Sequence, residues 1–185
     1  MFRDEDELRN RVIEWLTKQG FMVAKSIRLG SMELDVVAVA SLMISRDGFI
    51  KDLNNCYLYT IEVKIATTFN LMFDLVEQAI TRLLLSDYVL IAVPSEAEVW
   101  VNSKSQKIIK PPQIIGKYAS HTYSRKIGII SVDPDEGVKI VRIPQKSGLT
   151  QNELKERVLR RLRRLSYETS GSQPPFFTLN SLNQV

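Results

Sequence analysis

Apolar positions along the chain alternate between helical and extended spacing, and this pattern divides it into elements. Residues 4–18 place Leu8, Val12, Trp15 and Leu16 on one helical face, with acids in the first turn and Gly20 as a stop. Residues 21–29 predict a strand, and the Val-rich residues 33–44, which follow a Gly-Ser turn, predict a second. A hairpin-type turn is expected at residues 45–48 and a further loop at 51–55, before a third strand over residues 56–65. Residues 70–86 carry Met72, Val76, Ala79, Ile80 and Leu83 at helical spacing, with Asn70 as candidate cap. Residues 88–93 form a short, wholly apolar run ended by Pro94, the pattern of a strand covered on both faces. Residues 127–132 and 138–143 flank Asp133-Pro134-Asp135-Glu136-Gly137 and predict a hairpin. Residues 150–167 predict a terminal helix in which Thr150 and Glu153 are spaced as a capping box.

This order predicts an α/β fold: a mixed central sheet flanked by helices, in the order αβββαβ followed by a β-hairpin and a C-terminal helix. A crossover helix is expected between the third and fourth strands. A single domain is expected over residues 1–167, with its core in 4–143 and a basic helix at 150–167; residues 168–185 read as a flexible tail.

Composition narrows the chemistry. No apolar run approaches the roughly 18 residues of a membrane helix, so no membrane partner is expected. The first residues, Arg3-Asp4-Glu5-Asp6-Glu7, are acidic where an export leader is basic and then apolar, which sets the expectation of a cytoplasmic protein. Cys56 is the lone cysteine and His121 the lone histidine, which excludes internal disulfides, thiolate zinc clusters and zinc sites with several imidazoles. His121 reads as a phosphate or core contact rather than a catalytic base. Neither a P-loop nor a dinucleotide-binding glycine motif occurs, so no nucleotide cofactor is expected. Carboxylates, lysines and a bound cation remain.

Charge is divided unevenly. Residues 1–98 hold 10 Lys/Arg and 15 Asp/Glu, a net −5, whereas residues 99–185 hold 15 and 6, a net +9. Residues 99–132 contain no acid but carry Lys104, Lys107, Lys110, Lys117, Arg125 and Lys126, interleaved with Trp100, Tyr118, His121 and Tyr123. The terminal helix sets Lys155, Arg157, Arg160, Arg161, Arg163 and Arg164 around a seam of Leu154, Val158, Leu162 and Leu165. Such surfaces suit a polyanion. The plainer alternative is a solvated connection.

The acids of the first half form a pattern of their own. In Ile61-Glu62-Val63-Lys64-Ile65, Glu62 and Lys64 share one strand face, and in Glu33-Leu34-Asp35 the two acids likewise do. If these strands are neighbours, Asp35 and Glu62 converge on one divalent cation beside Lys64. Oxygen ligands with room for water suit Mg²⁺. Such an ion activates water and neutralises phosphoryl charge, while the lysine orients or deprotonates the water. The alternative is a Glu62–Lys64 ion pair with Asp35 as an edge charge.

With these residues in this order, the chain resembles the PD-(D/E)XK superfamily of restriction-endonuclease-like nucleases, nearest to its archaeal Holliday junction resolvase and RecB-like branches. The resemblance spans residues 5 to 143, with Leu34 where many members have proline. It implies that Asp35 and Glu62 hold Mg²⁺, for which Mn²⁺ substitutes, and that Lys64 assists the water. It also implies a further acid from the first helix, for which Glu5 lies on the inward face, and a glutamine on the helix after the lysine, for which Gln78 stands 14 residues beyond Lys64. The implied activity is Mg²⁺-dependent hydrolysis of DNA phosphodiesters, on branched or flapped forms, by a homodimer, since symmetric cutting of two strands requires two sites. The other class is a non-catalytic nucleic-acid-binding protein on the same fold.

Overall fold

The computed structural model describes residues 1–41, 56–102 and 105–169. The first helix, α1 (Glu5–Lys18), is capped by Asp4, whose carboxylate accepts the Glu7 N–H at 2.8 Å. Gly20 closes the turn after it at φ 85°, a left-handed conformation that glycine adopts without steric cost. Strands β1 (Met22–Leu29), β2 (Met32–Ser41) and β3 (Cys56–Val63) follow, then helix α2 (Phe69–Arg82) and strand β4 (Tyr88–Pro94). A separate two-stranded hairpin, β5 (Ala97–Asn102) and β6 (Ser105–Ile109), leads to α3 (Pro111–Tyr118). Strands β7 (Gly128–Asp133) and β8 (Gly137–Arg142) and helix α4 (Asn152–Thr169) complete the described chain.

The six-stranded sheet has the order β1-β2-β3-β4-β7-β8. Its outer pairs are antiparallel, and β3, β4 and β7 run parallel. The mixed, helix-flanked sheet is thus the expected class, with α2 as the crossover between β3 and β4. Leu8, Val12 and Leu16 of α1 pack on Val36, Ala38, Ile61, Val63, Leu90 and Ala92. Val89, Ile91 and Val93 point the other way, into a cluster with Met72, Leu75 and Ala79 of α2 and Ile115 of α3. Strand β4 is therefore covered on both faces, which is why its sequence is apolar throughout. Against the outer strands, α4 seats Val158, Leu159 and Leu162 on Ile27, Leu34, Val37, Val39 and Leu58. The seam of the terminal helix packs on the domain.

Several local expectations give way to longer-range partners. Thr68, not Asn70, caps α2 by accepting the Leu71 N–H at 3.3 Å. α4 begins at Asn152, and the Thr150 hydroxyl donates to the Ser86 carbonyl at 2.8 Å, so Thr150 is not the cap residue of a capping box. Lys155 does not join the basic exterior: its ammonium lies 2.7 Å from Asp87 and donates to the Cys56 carbonyl at 2.9 Å. This pair, with Asp87 buried and Lys155 half-buried, fastens α4 to the start of β3 and β4. The basic stretch is not a plain connection, because much of it folds into β5, β6 and α3. The expected extension of β2 through residues 42–44, the turns at 45–48 and 51–55, Lys104 and residues 170–185 of the expected tail lie outside the described residues, whereas Glu168 and Thr169 belong to α4 and not to a tail. No described helix is long and apolar enough to cross a membrane.

Candidate functional site

Where β1 pairs with β2, the ladder passes from Lys25↔Val36 to Ile27↔Leu34. Between them Ser26 stands against Asp35 and adopts φ 55°, a left-handed conformation that costs a non-glycine residue about 1–2 kcal/mol. Side-chain alternation breaks at the same place, since Leu34 and Val37, an odd number of residues apart, enter the same cluster under α4. Asp35 sits at this break. One of its oxygens, Oδ2, accepts the Val63 N–H of β3 at 2.9 Å, and Oδ1 lies 3.3 Å from Arg9 Nη2 of α1.

The β2–β3 register pairs Val36 with Ile61, so one step further brings Asp35 beside Glu62. Glu62 is only 2% exposed. Its Oε1 accepts from Arg82 Nε at 2.7 Å, and Arg82 is held in turn by the Glu33 carbonyl at 3.0 Å and the Thr81 hydroxyl at 3.2 Å. Burial pushes the Glu62 carboxyl above its ordinary range, the Arg82 hydrogen bond and charge oppose this, and the Asp35 charge adds to the push. Two residues on, the Lys64 N–H donates to Ala92 of β4 at 3.1 Å, while its ammonium pairs with Glu5 Oε1 of α1 at 2.8 Å. The Glu62–Lys64 ion pair considered from sequence is thus replaced by two others, Glu62–Arg82 and Lys64–Glu5.

Four of the expected residues therefore form two pairs, Asp35 beside Glu62 and Lys64 on Glu5. The fifth, Gln78, is exposed on α2, and it is Arg82, one helical turn further, that reaches Glu62. Sequence reasoning singled out neither Arg9 nor Arg82 as a site residue. The available signals were spacing: Arg9 follows Glu5 by four residues on the inward stripe of α1, and Arg82 follows Gln78 by four on α2.

In charge and donor type, Asp35 and Glu62 fit a hard divalent cation. They are two adjacent carboxylates, and the Asp35 charge adds to the cost of ionising Glu62, which a cation relieves. Among the described residues no three His, Cys, Asp or Glu side chains cluster as a metal-binding group. Glu5 stays with Lys64, so an ion here rests on two carboxylates and water, in keeping with the habit of Mg²⁺.

On the basic surface, Lys107, Lys117 and Arg125 are exposed, as are Arg161 and Arg164 of α4. Lys110 is exposed with Glu96 at 3.9 Å, while Arg157 and Arg160 are exposed but paired with Glu153 and Glu156 one turn earlier on α4. Lys126 leaves this set, because it is half-buried and donates to the Ser147 carbonyl. His121 is exposed. Trp100, Tyr118 and Tyr123 are all exposed beside these cations.

The fold defines an α/β protein with a mixed six-stranded sheet flanked by helices. No family model matches this chain, and neither does any curated protein. Among solved structures it is similar to the SPO1766 protein of unknown function from Silicibacter pomeroyi, with 13% identity over 96% of this chain and 100% of that one and a TM-score of 0.50. That likeness concerns the fold alone.

Proposed function

We propose that the chain is a restriction-endonuclease-like, Mg²⁺-dependent deoxyribonuclease of the PD-(D/E)XK kind. The observation that carries this reading is that Asp35 of β2 lies beside Glu62 of β3, with Lys64, just past the end of β3, paired to Glu5 of α1. Asp35 and Glu62 hold the cation. When bound, it supplies an activated water and neutralises charge on the scissile phosphate. Arg82 holds Glu62 in place from below, and the Val63 N–H orients Asp35. Lys64, anchored through its backbone to β4 and through its ammonium to Glu5, orients the attacking water. The exposed Lys107, Lys110, Lys117 and Arg125, with the α4 arginines, bind the DNA backbone. Symmetric cutting of two strands calls for two copies of the chain.

One observation favours the second reading, a nucleic-acid binder without turnover: Asp35 and Glu62 are each already matched to an arginine. Cleavage of linear, flapped and four-way DNA with Mg²⁺, by the wild-type chain and by Asp35→Asn and Lys64→Ala, separates the two. Metal-dependent cleavage lost in both variants supports the nuclease. DNA binding without any cleavage supports the binder.

A further inference from the structure

Resting on the nuclease reading, we infer that Arg9 competes with the divalent cation for Asp35, so that the cation site opens only as the guanidinium lets go. Asp35 has two oxygens. Oδ2 is committed to the Val63 N–H at 2.9 Å, a backbone contact that moves only with β3. The remaining Oδ1 is the one Arg9 Nη2 approaches. A cation that takes Asp35 through its less encumbered oxygen meets this guanidinium first.

Three features make Arg9 the group that yields. Its contact with Asp35, at 3.3 Å, lies beyond the 2.7–2.9 Å usual for a charge-assisted bond. Its other contact, to Asp6 Oδ1 one turn away on α1, is short at 2.7 Å and survives without Asp35. Its Nε is buried and has no hydrogen-bond partner, so the present pose leaves a donor desolvated without compensation. Arg82, by contrast, is held by Glu62, Glu33 and Thr81 and stays. The two arginines thus divide the work: Arg82 positions a ligand, and Arg9 guards one.

Direct cation binding tests this with no dependence on turnover. Mn²⁺ is titrated into the full chain and bound ion is read by electron paramagnetic resonance for wild type, Arg9→Gln and Asp35→Asn. Arg9→Gln should bind Mn²⁺ about tenfold more tightly, as expected for removal of one like charge beside the ion with partial solvent screening. Asp35→Asn should lose the site. Equal affinity in wild type and Arg9→Gln, with binding lost in Asp35→Asn, overturns the competition and leaves the nuclease reading standing. No binding to any of the three overturns both. If Arg9→Gln fails to fold, the wild-type chain labelled with ¹⁵N-arginine answers the same question. On Mg²⁺ addition the Arg9 side-chain hydrogens should lose exchange protection while those of Arg82 keep it, and an Arg9 that keeps its protection at saturating cation overturns the inference.

Discussion

Removing Arg82 tests whether Glu62 is a buried carboxylate that depends on one cation. The Arg82 and Glu62 side chains are 9% and 3% exposed, so water replaces little of the interaction when one of them is removed. Breaking such a pair costs about 3–5 kcal/mol, because the surviving charge is stranded. Glu62 has an escape, however, which is to take a proton. With an ordinary value of 4.5, protonating a glutamate at pH 7 costs about 3.4 kcal/mol, and this caps the Glu62 share of the loss. Arg82→Met is therefore expected to lose about 3 kcal/mol at pH 7, a fall of roughly 6–12 °C in Tm for a chain of this size. The pH dependence follows. With Arg82 gone, Glu62 keeps its proton in the folded state while the unfolded chain releases it above 4.5, so the folded state binds more protons. The stability of the variant is then greatest below 4.5 and declines as pH rises, by about 1.4 kcal/mol per unit. Urea unfolding of wild type, Arg82→Met and the double variant Glu62→Gln/Arg82→Met at several pH values measures this. The double variant, with no charge to strand, should recover most of the loss at pH 7 and lack the steep slope. A loss below about 1 kcal/mol in Arg82→Met, or one that does not change with pH, would refute the reasoning.

Two further outcomes concern other parts of the chain. Asp133 is pulled from 3.8 to about 2 by the Ser95 hydroxyl and the Glu136 and Asp135 N–H groups, so its contribution is present above 3.8 and lost as pH falls towards 2. Asp133→Asn should flatten the acid limb of Tm against pH over that interval, and an unchanged limb would dissociate Asp133 from acid unfolding. Neutralising Lys107, Lys110 and Lys117 together should weaken binding to all DNA sequences alike, and each lost phosphate contact should make the salt slope shallower by about 0.9 for duplex. Unchanged affinity and slope would remove this face from the DNA path and leave the α4 arginines.

By itself, the sequence determined the elements whose information is local. The face of α1, the two-sided burial of β4 and the β7–β8 hairpin all follow from periods of 3.6 and 2 and from turn chemistry, none of which needs a distant partner. Asp35, Glu62 and Lys64 stood out on the same footing, Glu62 and Lys64 as a charged pair sharing one strand face and Asp35 as an acid sharing a face with Glu33. The β5–β6 hairpin stayed hidden because no Gly or Pro marks a turn within residues 97–109, whereas Asp133-Pro134-Asp135-Glu136-Gly137 marks the turn between the comparably short β7 and β8. What only the tertiary structure decided is which cation each acid receives. Arg9 and Asp35 are 26 residues apart in the chain, and Arg82 and Glu62 are 20 apart. Lys155 is a surface cation by its place on an arginine-rich helix, yet it is half-buried and paired with Asp87, because docking the apolar seam of α4 carries it inward. Such pairings depend on sheet register, on the alternation break at Ser26 and Asp35, and on which helix lies over which strand. Charge is long-ranged and tolerant of spacing, so local pattern shows where charges are, and the packing of the core selects their partners.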